Sequence, residues 1–210
     1  MTEELLNAQE AGGADAAPGN HPTLEDARRK IDALDPQIRD LLMQRLDCSR
    51  EVAAAKLDSG DLNIYRADRE AAILDRLGRD VPEDRRAGYL AVVRKIMETS
   101  RMYQYGLIYD ALDDPFGLVE GSALLAGKTS RVLVRLTREN RPNAMSSILS
   151  MIGDYGYNMD RMELVSEDFE RNVITFDLLI IGDLSEEHMK KLMFQLSRES
   201  MDFAIRECRS

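Results

Sequence analysis

Arg28, Arg45 and Lys56 are cations set on a stretch, Leu24 to Lys56, whose apolar residues form a seam. Leu24, Ala27, Ile31, Leu34, Ile38 and Leu41, then Cys48, Val52 and Ala55, recur in steps of three and four. That is the seven-residue repeat of a long helix. Arg45 falls in the gap of this stripe, where a hydrophobe is expected, and a cation on a buried face calls for an anion. Lys56 follows Arg45 by eleven residues, about 20° round and about 16 Å along an ideal helix, so both point to one side. Arg28 precedes Arg45 by seventeen residues, about 25 Å away and about 100° round. It cannot reach the same ligand from the same chain, but an antiparallel partner helix could supply its own copy. Taken singly, Arg28 and Lys56 read more readily as solvated or salt-bridged surface residues, and Arg45 less so. Together they suit a small anion.

The elements that must position these groups follow from the pattern. Thr23 is an N-cap, with Asp26 where a capping box puts Glu or Gln. The first helix runs to about Leu57. Pro36 either starts a new helix with Asp35 as its cap or kinks a single one. The stripe keeps its register across Pro36, which favours the single kinked helix. A second helix is expected over Asp68–Leu77, and a third from Pro82 to about Tyr105, carrying Tyr89, Val92, Val93, Ile96 and Met97. Three helices so unequal leave half of the long stripe bare, and pairing with a second copy is the natural remedy.

Asp113-Asp114-Pro115 and glycines 117, 121 and 127 mark a linker. Beyond it the period changes. Strands are expected over Arg131–Thr137, Asn158–Ser166, Val173–Ile181 and Met201–Arg206, with helices over Pro142–Tyr155 and from Ser185 to about Arg198. The order βαββαβ is the ferredoxin-like split motif. The fold class is therefore α+β, divided into a tail (1–21), a helical domain (22–106), a linker (107–128) and a second domain (129–210). His21 and His188 are expected to be exposed.

The net charge of −10 argues against sequence-independent nucleic-acid binding, which rests on cations facing phosphates. No apolar run approaches the roughly 20 residues of a membrane span. The first twenty residues lack the basic and apolar regions of a secretory signal. Cys48 and Cys208 give no disulfide framework and are expected as buried thiols in a reducing cytoplasm. No metal or cofactor is implied.

The helical half resembles the all-helical chorismate mutases. The resemblance is carried by Arg28 with Ile31, Leu34 and Asp35; by Arg45; by Val52-Ala53-Ala54-Ala55-Lys56; by Tyr65-Arg66-Ala67-Asp68-Arg69-Glu70; and by Ile96-Met97-Glu98-Thr99-Ser100 with Gln104. It implies an intertwined homodimer with two sites, each completed by Arg28 of the other chain. Arg28 and Arg45 would hold the two carboxylates of chorismate. Lys56 and Gln104 would donate to its ether oxygen, and Glu70 would hold the ring hydroxyl. Arg69 and Ser100 would complete the pocket. The family often carries an acid two residues before the Asp68 position. Here it is Arg66, which leaves Glu70 more of the hydroxyl recognition. Isochorismate pyruvate lyases share the fold and a similar pocket. They are one alternative, and a non-catalytic, amino-acid-sensing partner of another shikimate-pathway enzyme is another.

The second half resembles an ACT domain, the regulatory module of amino-acid metabolism, mainly in element order. A regulatory aromatic amino acid would sit near Asn140, Pro142, Asn143, Ala144 and Met145. That loop lacks the Pro-Gly or Gly-Ala-Leu signature of many ligand-binding members, which weighs toward a structural or pairing role. In bifunctional mutase/dehydratase enzymes a whole dehydratase domain separates the two modules. Only the 107–128 linker does so here, so no dehydratase activity is expected.

Overall fold

The structure, a computed structural model, describes residues 23–117 and 119–209. The expected tail, 1–21 with His21, lies outside the described residues, and so does the side chain of Cys208. The chain divides into two compact units, one ending at Leu42 and the other beginning at Met43.

Helix α1, Leu24–Ser59, starts in the first unit. The Thr23 Oγ1 accepts from the Asp26 N–H at 3.1 Å, and the Asp26 carboxylate accepts from the Thr23 N–H at 3.1 Å. This is a reciprocal capping box built with Asp. Pro36 lies inside the helix, which continues through it. The ring removes one backbone donor, and the helix absorbs the loss rather than breaking. Within this unit Ile31, Leu34, Ile38 and Leu41 are 53% to 65% exposed, so the stripe is bare in the single chain.

In the second unit the part of α1 from Met43 onward buries only Ser49 and Ala53. The face that packs is therefore one step round from the apolar stripe. This corrects two expectations: Arg45 is exposed rather than set in a buried seam, and Cys48 is exposed rather than buried. Helix α2 spans Ala67–Gly78 and α3 spans Glu83–Ala111. Helix α3 outruns its expected end at Tyr105 because its apolar face continues. Tyr105 and Ile108 are fully buried, and Tyr105 and Tyr109 meet Phe194 edge-on, at 6.1 and 5.7 Å between ring centroids. A short 3-10 turn, Ser122–Ala126, interrupts the segment that follows.

Strands β1 (Arg131–Glu139), β2 (Asn158–Asp168), β3 (Val173–Ile181) and β4 (Asp202–Arg209) form one sheet in the order β2-β3-β1-β4. Every neighbouring pair is antiparallel. Helices α4 (Ala144–Asp154) and α5 (Glu187–Arg198) complete the region. Val132, Val134 and Leu136 alternate inward on β1, as period-two patterning requires, and share a core with Ile148 and Ile152 of α4 and Leu192 and Leu196 of α5. His188 is exposed on α5, as expected.

Candidate active site

The second unit contains a cavity of about 770 Å³ walled by α1, by the segment from Ile64 into α2, and by α3. Helical spacing explains the wall. Arg45, Ser49, Val52 and Lys56 succeed one another at three or four residues, and Ser100 and Arg101 lie three and four after Met97 and four and three before Gln104, so each set shares one helix face. Ser49 and Ala53 are small, which lets α1 pack closely while its longer neighbours reach over the opening.

Six of the seven expected catalytic residues line this cavity: Arg45, Lys56, Arg69, Glu70, Ser100 and Gln104. Arg28 does not. It lies in the unit that ends at Leu42 and is exposed.

The Arg45 guanidinium donates to Ser100 Oγ and, at 3.3 Å, to the Ile96 carbonyl. Ser100 Oγ in turn donates to the same carbonyl at 2.9 Å. These acceptors are neutral, and among the described residues no carboxylate pairs with Arg45. Lys56 Nζ donates to Asp61 Oδ2 at 2.5 Å, and Arg66 Nη2 reaches the same oxygen at 2.9 Å. The Lys56 hydrogen bond, with one from the Asn63 N–H, holds the Asp61 carboxyl below its ordinary range. Arg66, the departure from the family pattern, is thereby engaged with the acid beside Lys56.

Glu70 pairs with Arg101. Burial pushes the Glu70 carboxyl up, and Arg101 only partly offsets this. Arg101 also pairs with Glu199, Nε to Oε1 at 3.2 Å. Burial alone would lower the Arg101 guanidinium, but Glu199 and Glu70 outweigh it and the net shift is upward. Gln104 is 9% exposed, and its amide has no side-chain partner among the described residues. Arg69 is exposed at the rim. The cavity therefore presents Arg45, Lys56 and Arg69, the unengaged Gln104 amide and the Ser100 hydroxyl, together with the Glu70 carboxylate that Arg101 holds.

The residues expected to hold an effector have different surroundings. Asn140 ties to Glu167 through its amide at 2.8 Å and to the Asn172 carbonyl through its N–H at 2.8 Å. Asn143 caps α4 in a left-handed conformation, φ 68°. Pro142 and Met145 are exposed. Ala144 lines a cavity of about 420 Å³.

Asp61, Arg101 and Glu199 were not singled out from the sequence. Arg101 carried the same signal as Arg45, a cation on an apolar helix face between Met97 and Ile108. Glu199 carried none, since its role depends on a contact across ninety-eight residues. No cluster of metal-ligating side chains occurs among the described residues. No described helix is long and apolar enough to cross a membrane.

No curated protein matches the chain. Residues 27–105, which supply every wall of the larger cavity, match the chorismate mutase type II family, and the sheet lies outside that segment.

Proposed function

We propose that the chain is a chorismate mutase, an isomerase that rearranges chorismate to prephenate. The observation that carries this is Arg45. Its guanidinium is fixed by Ser100 and the Ile96 carbonyl at a cavity that also holds Lys56 and Gln104, and no described carboxylate neutralises it. That is a prepared place for a ligand carboxylate.

The residue types suit the reaction. A Claisen rearrangement needs no nucleophile and no obligatory proton transfer. It needs a flexible dianion held in a chair-like conformation, and stabilisation of the negative charge that grows on the ether oxygen as the C–O bond breaks. Arg45 would take one carboxylate. Lys56 and Gln104, on facing helices, would donate to the ether oxygen, with Asp61 orienting Lys56. Glu70, steadied by Arg101, would accept from the ring hydroxyl. Ser100 holds Arg45, and Arg69 closes the rim.

The second carboxylate falls to Arg28 of a partner chain in an intertwined homodimer. The bare stripe of Ile31, Leu34, Ile38 and Leu41 supports this pairing, because two such helices would cover each other's apolar faces. The helical part, 22–106, would carry the chemistry. The ferredoxin-like, ACT-like part, 129–210, would bind an aromatic amino acid or serve pairing, the whole acting in the cytoplasm on the route to phenylalanine and tyrosine.

The test is incubation of the full chain with chorismate and, separately, with isochorismate. Formation of prephenate supports the mutase. Release of pyruvate from isochorismate with no prephenate from chorismate would replace the reading with the lyase.

A further inference from the structure

The Glu70 carboxylate on the larger cavity is one end of a row of four alternating charges, Glu70, Arg101, Glu199 and Arg138. Glu199 lies at the end of α5 and is not part of the cavity wall. We propose that it is nonetheless a positioning residue for that cavity: by fixing Arg101 and taking a share of its charge, Glu199 leaves Glu70 a strong acceptor for a ligand hydroxyl.

Arg101 is 7% exposed and is held on three sides. Its Nη1 donates to Glu70 Oε1, and its Nε donates to Glu199 Oε1 at 3.2 Å. The Tyr65 ring covers the guanidinium, 4.8 Å from the ring centroid. A planar fork serves two acids at once only while both keep their places. Glu199 keeps its place because α5 ends on it. Its N–H donates to the Gln195 carbonyl at 2.9 Å, and its Oε1 accepts from Gln195 Nε2 at 2.8 Å. Its other oxygen accepts from Arg138 Nη2 at 3.2 Å. Glu70 spends one oxygen on Arg101, while its Oε2 has no hydrogen-bond partner among the described residues. That second oxygen is the one open to a ligand.

The more fully a cation neutralises a carboxylate, the lower its basicity and the weaker its bonds to other donors. Arg101 divides its charge between Glu70 and Glu199, so Glu70 is held without being fully neutralised. The groups facing Glu70 fix the signs. Burial raises its carboxyl most, Arg101 lowers it, and the charges of Glu199 and Glu98 raise it. Arg45 and Lys56 reach the same cavity from α1, and Arg66, Asp68 and Arg69 from the segment that leads to Glu70. Lys56 and Arg66 are engaged by Asp61. Removing the Glu199 charge therefore lowers the Glu70 carboxyl, by loss of a like charge and by giving Arg101 wholly to Glu70. Removing Arg101 raises it. In the mutase reading, on which the kinetic consequence rests, a Glu70 more tightly bound by Arg101 accepts less well from the ring hydroxyl, so KM rises while kcat changes little.

The experiment follows the Glu70 carboxyl by carbon-13 NMR across pH in the full chain, with Glu70→Gln to assign its resonance. The titration and the pH profile of kcat/KM are repeated for Glu199→Gln, Arg101→Met and Arg101→Lys. In Glu199→Gln the midpoint should fall and the acid limb of kcat/KM should fall with it. KM for chorismate at neutral pH should rise severalfold, with kcat within about twofold. In Arg101→Met midpoint and limb should both rise, and Arg101→Lys should bring them back toward the wild type. General loosening of the fold would not move the two in opposite directions. If Glu199→Gln does not fold, the same substitution combined with Arg138→Met, which removes the cation left without an anion, carries the test. A midpoint unmoved by loss of the Glu199 charge, or moved the same way by loss of Arg101, overturns the positioning role. Midpoints that shift as expected while the limb of an active protein stays put overturn the step from Glu70 to the substrate. Expected midpoints in a protein that turns over no chorismate leave the positioning role standing and refute the mutase reading instead.

Discussion

Arg101 of α3 and Glu199 at the end of α5 form an ion pair of 3.2 Å although their side chains are only 9% and 2% exposed. Glu199 serves Arg138 of β1 in the same way. One carboxylate thus compensates two buried cations, and removing it leaves Arg138 with no anion and Arg101 with Glu70 alone. Glu199→Ala should cost about 3–5 kcal/mol of stability, read as a lower midpoint in urea unfolding. A loss under about 1 kcal/mol would mean that the arginines find water or another acid.

Arg45→Ala and Lys56→Ala should each abolish measurable turnover of chorismate, a fall of about 10²–10³ or more in kcat, since each removes a fixed charge from the transition state. Circular dichroism should be unchanged, because Arg45 is exposed and Lys56 pairs only with the partly exposed Asp61. A folded variant with near-normal turnover would refute the site.

If Arg28 crosses between chains, Arg28→Ala and Arg45→Ala are each inactive alone but complement each other when unfolded and refolded together. In a mixed dimer one site keeps both arginines, so about a quarter of wild-type activity should return. No recovery would place Arg28 outside the site.

The acid limb of kcat/KM should begin above the range of an ordinary carboxylate, because Glu70 must be ionised to accept and burial raises its pKa. Glu70→Gln should be slower and should lack that limb. For stability the sign is opposite. A raised folded value means that Glu70 favours the folded chain at acid pH and costs stability as pH rises through it. Asp61, held low by Lys56, contributes stability at neutral pH that is lost as pH falls through its folded value. A wild-type profile with the same acid limb as Glu70→Gln would remove Glu70 from the chemistry.

Prephenate supplied to the protein should yield no phenylpyruvate. Its detection by absorbance in alkali would show that the second half does more than bind and pair.

Much of this was legible in the sequence because the signals are local. Periodicity located all three helices of the amino-terminal half and all four strands, and β3 was read to the residue. Six residues on three helices meet at one cavity as their spacing required. What the sequence misplaced was burial. A seven-residue stripe says which residues want cover but not whether the chain itself provides it, so Arg45 and Cys48 were expected inside and lie outside. The end of α3 was missed because its last turn is held by Phe194, a contact more than eighty residues distant. Glu199 was invisible for the same reason: an acid after a helix is ordinary until two arginines from elsewhere close on it.

The bare ridge of α1 has a consequence in mass action. If each site borrows an arginine from a second molecule, activity per chain is not a constant of the protein but a function of its concentration. Dilution below the dissociation constant of the pair should then lower specific activity with no loss of folded α3 or sheet, and recovery on concentration should follow second-order kinetics.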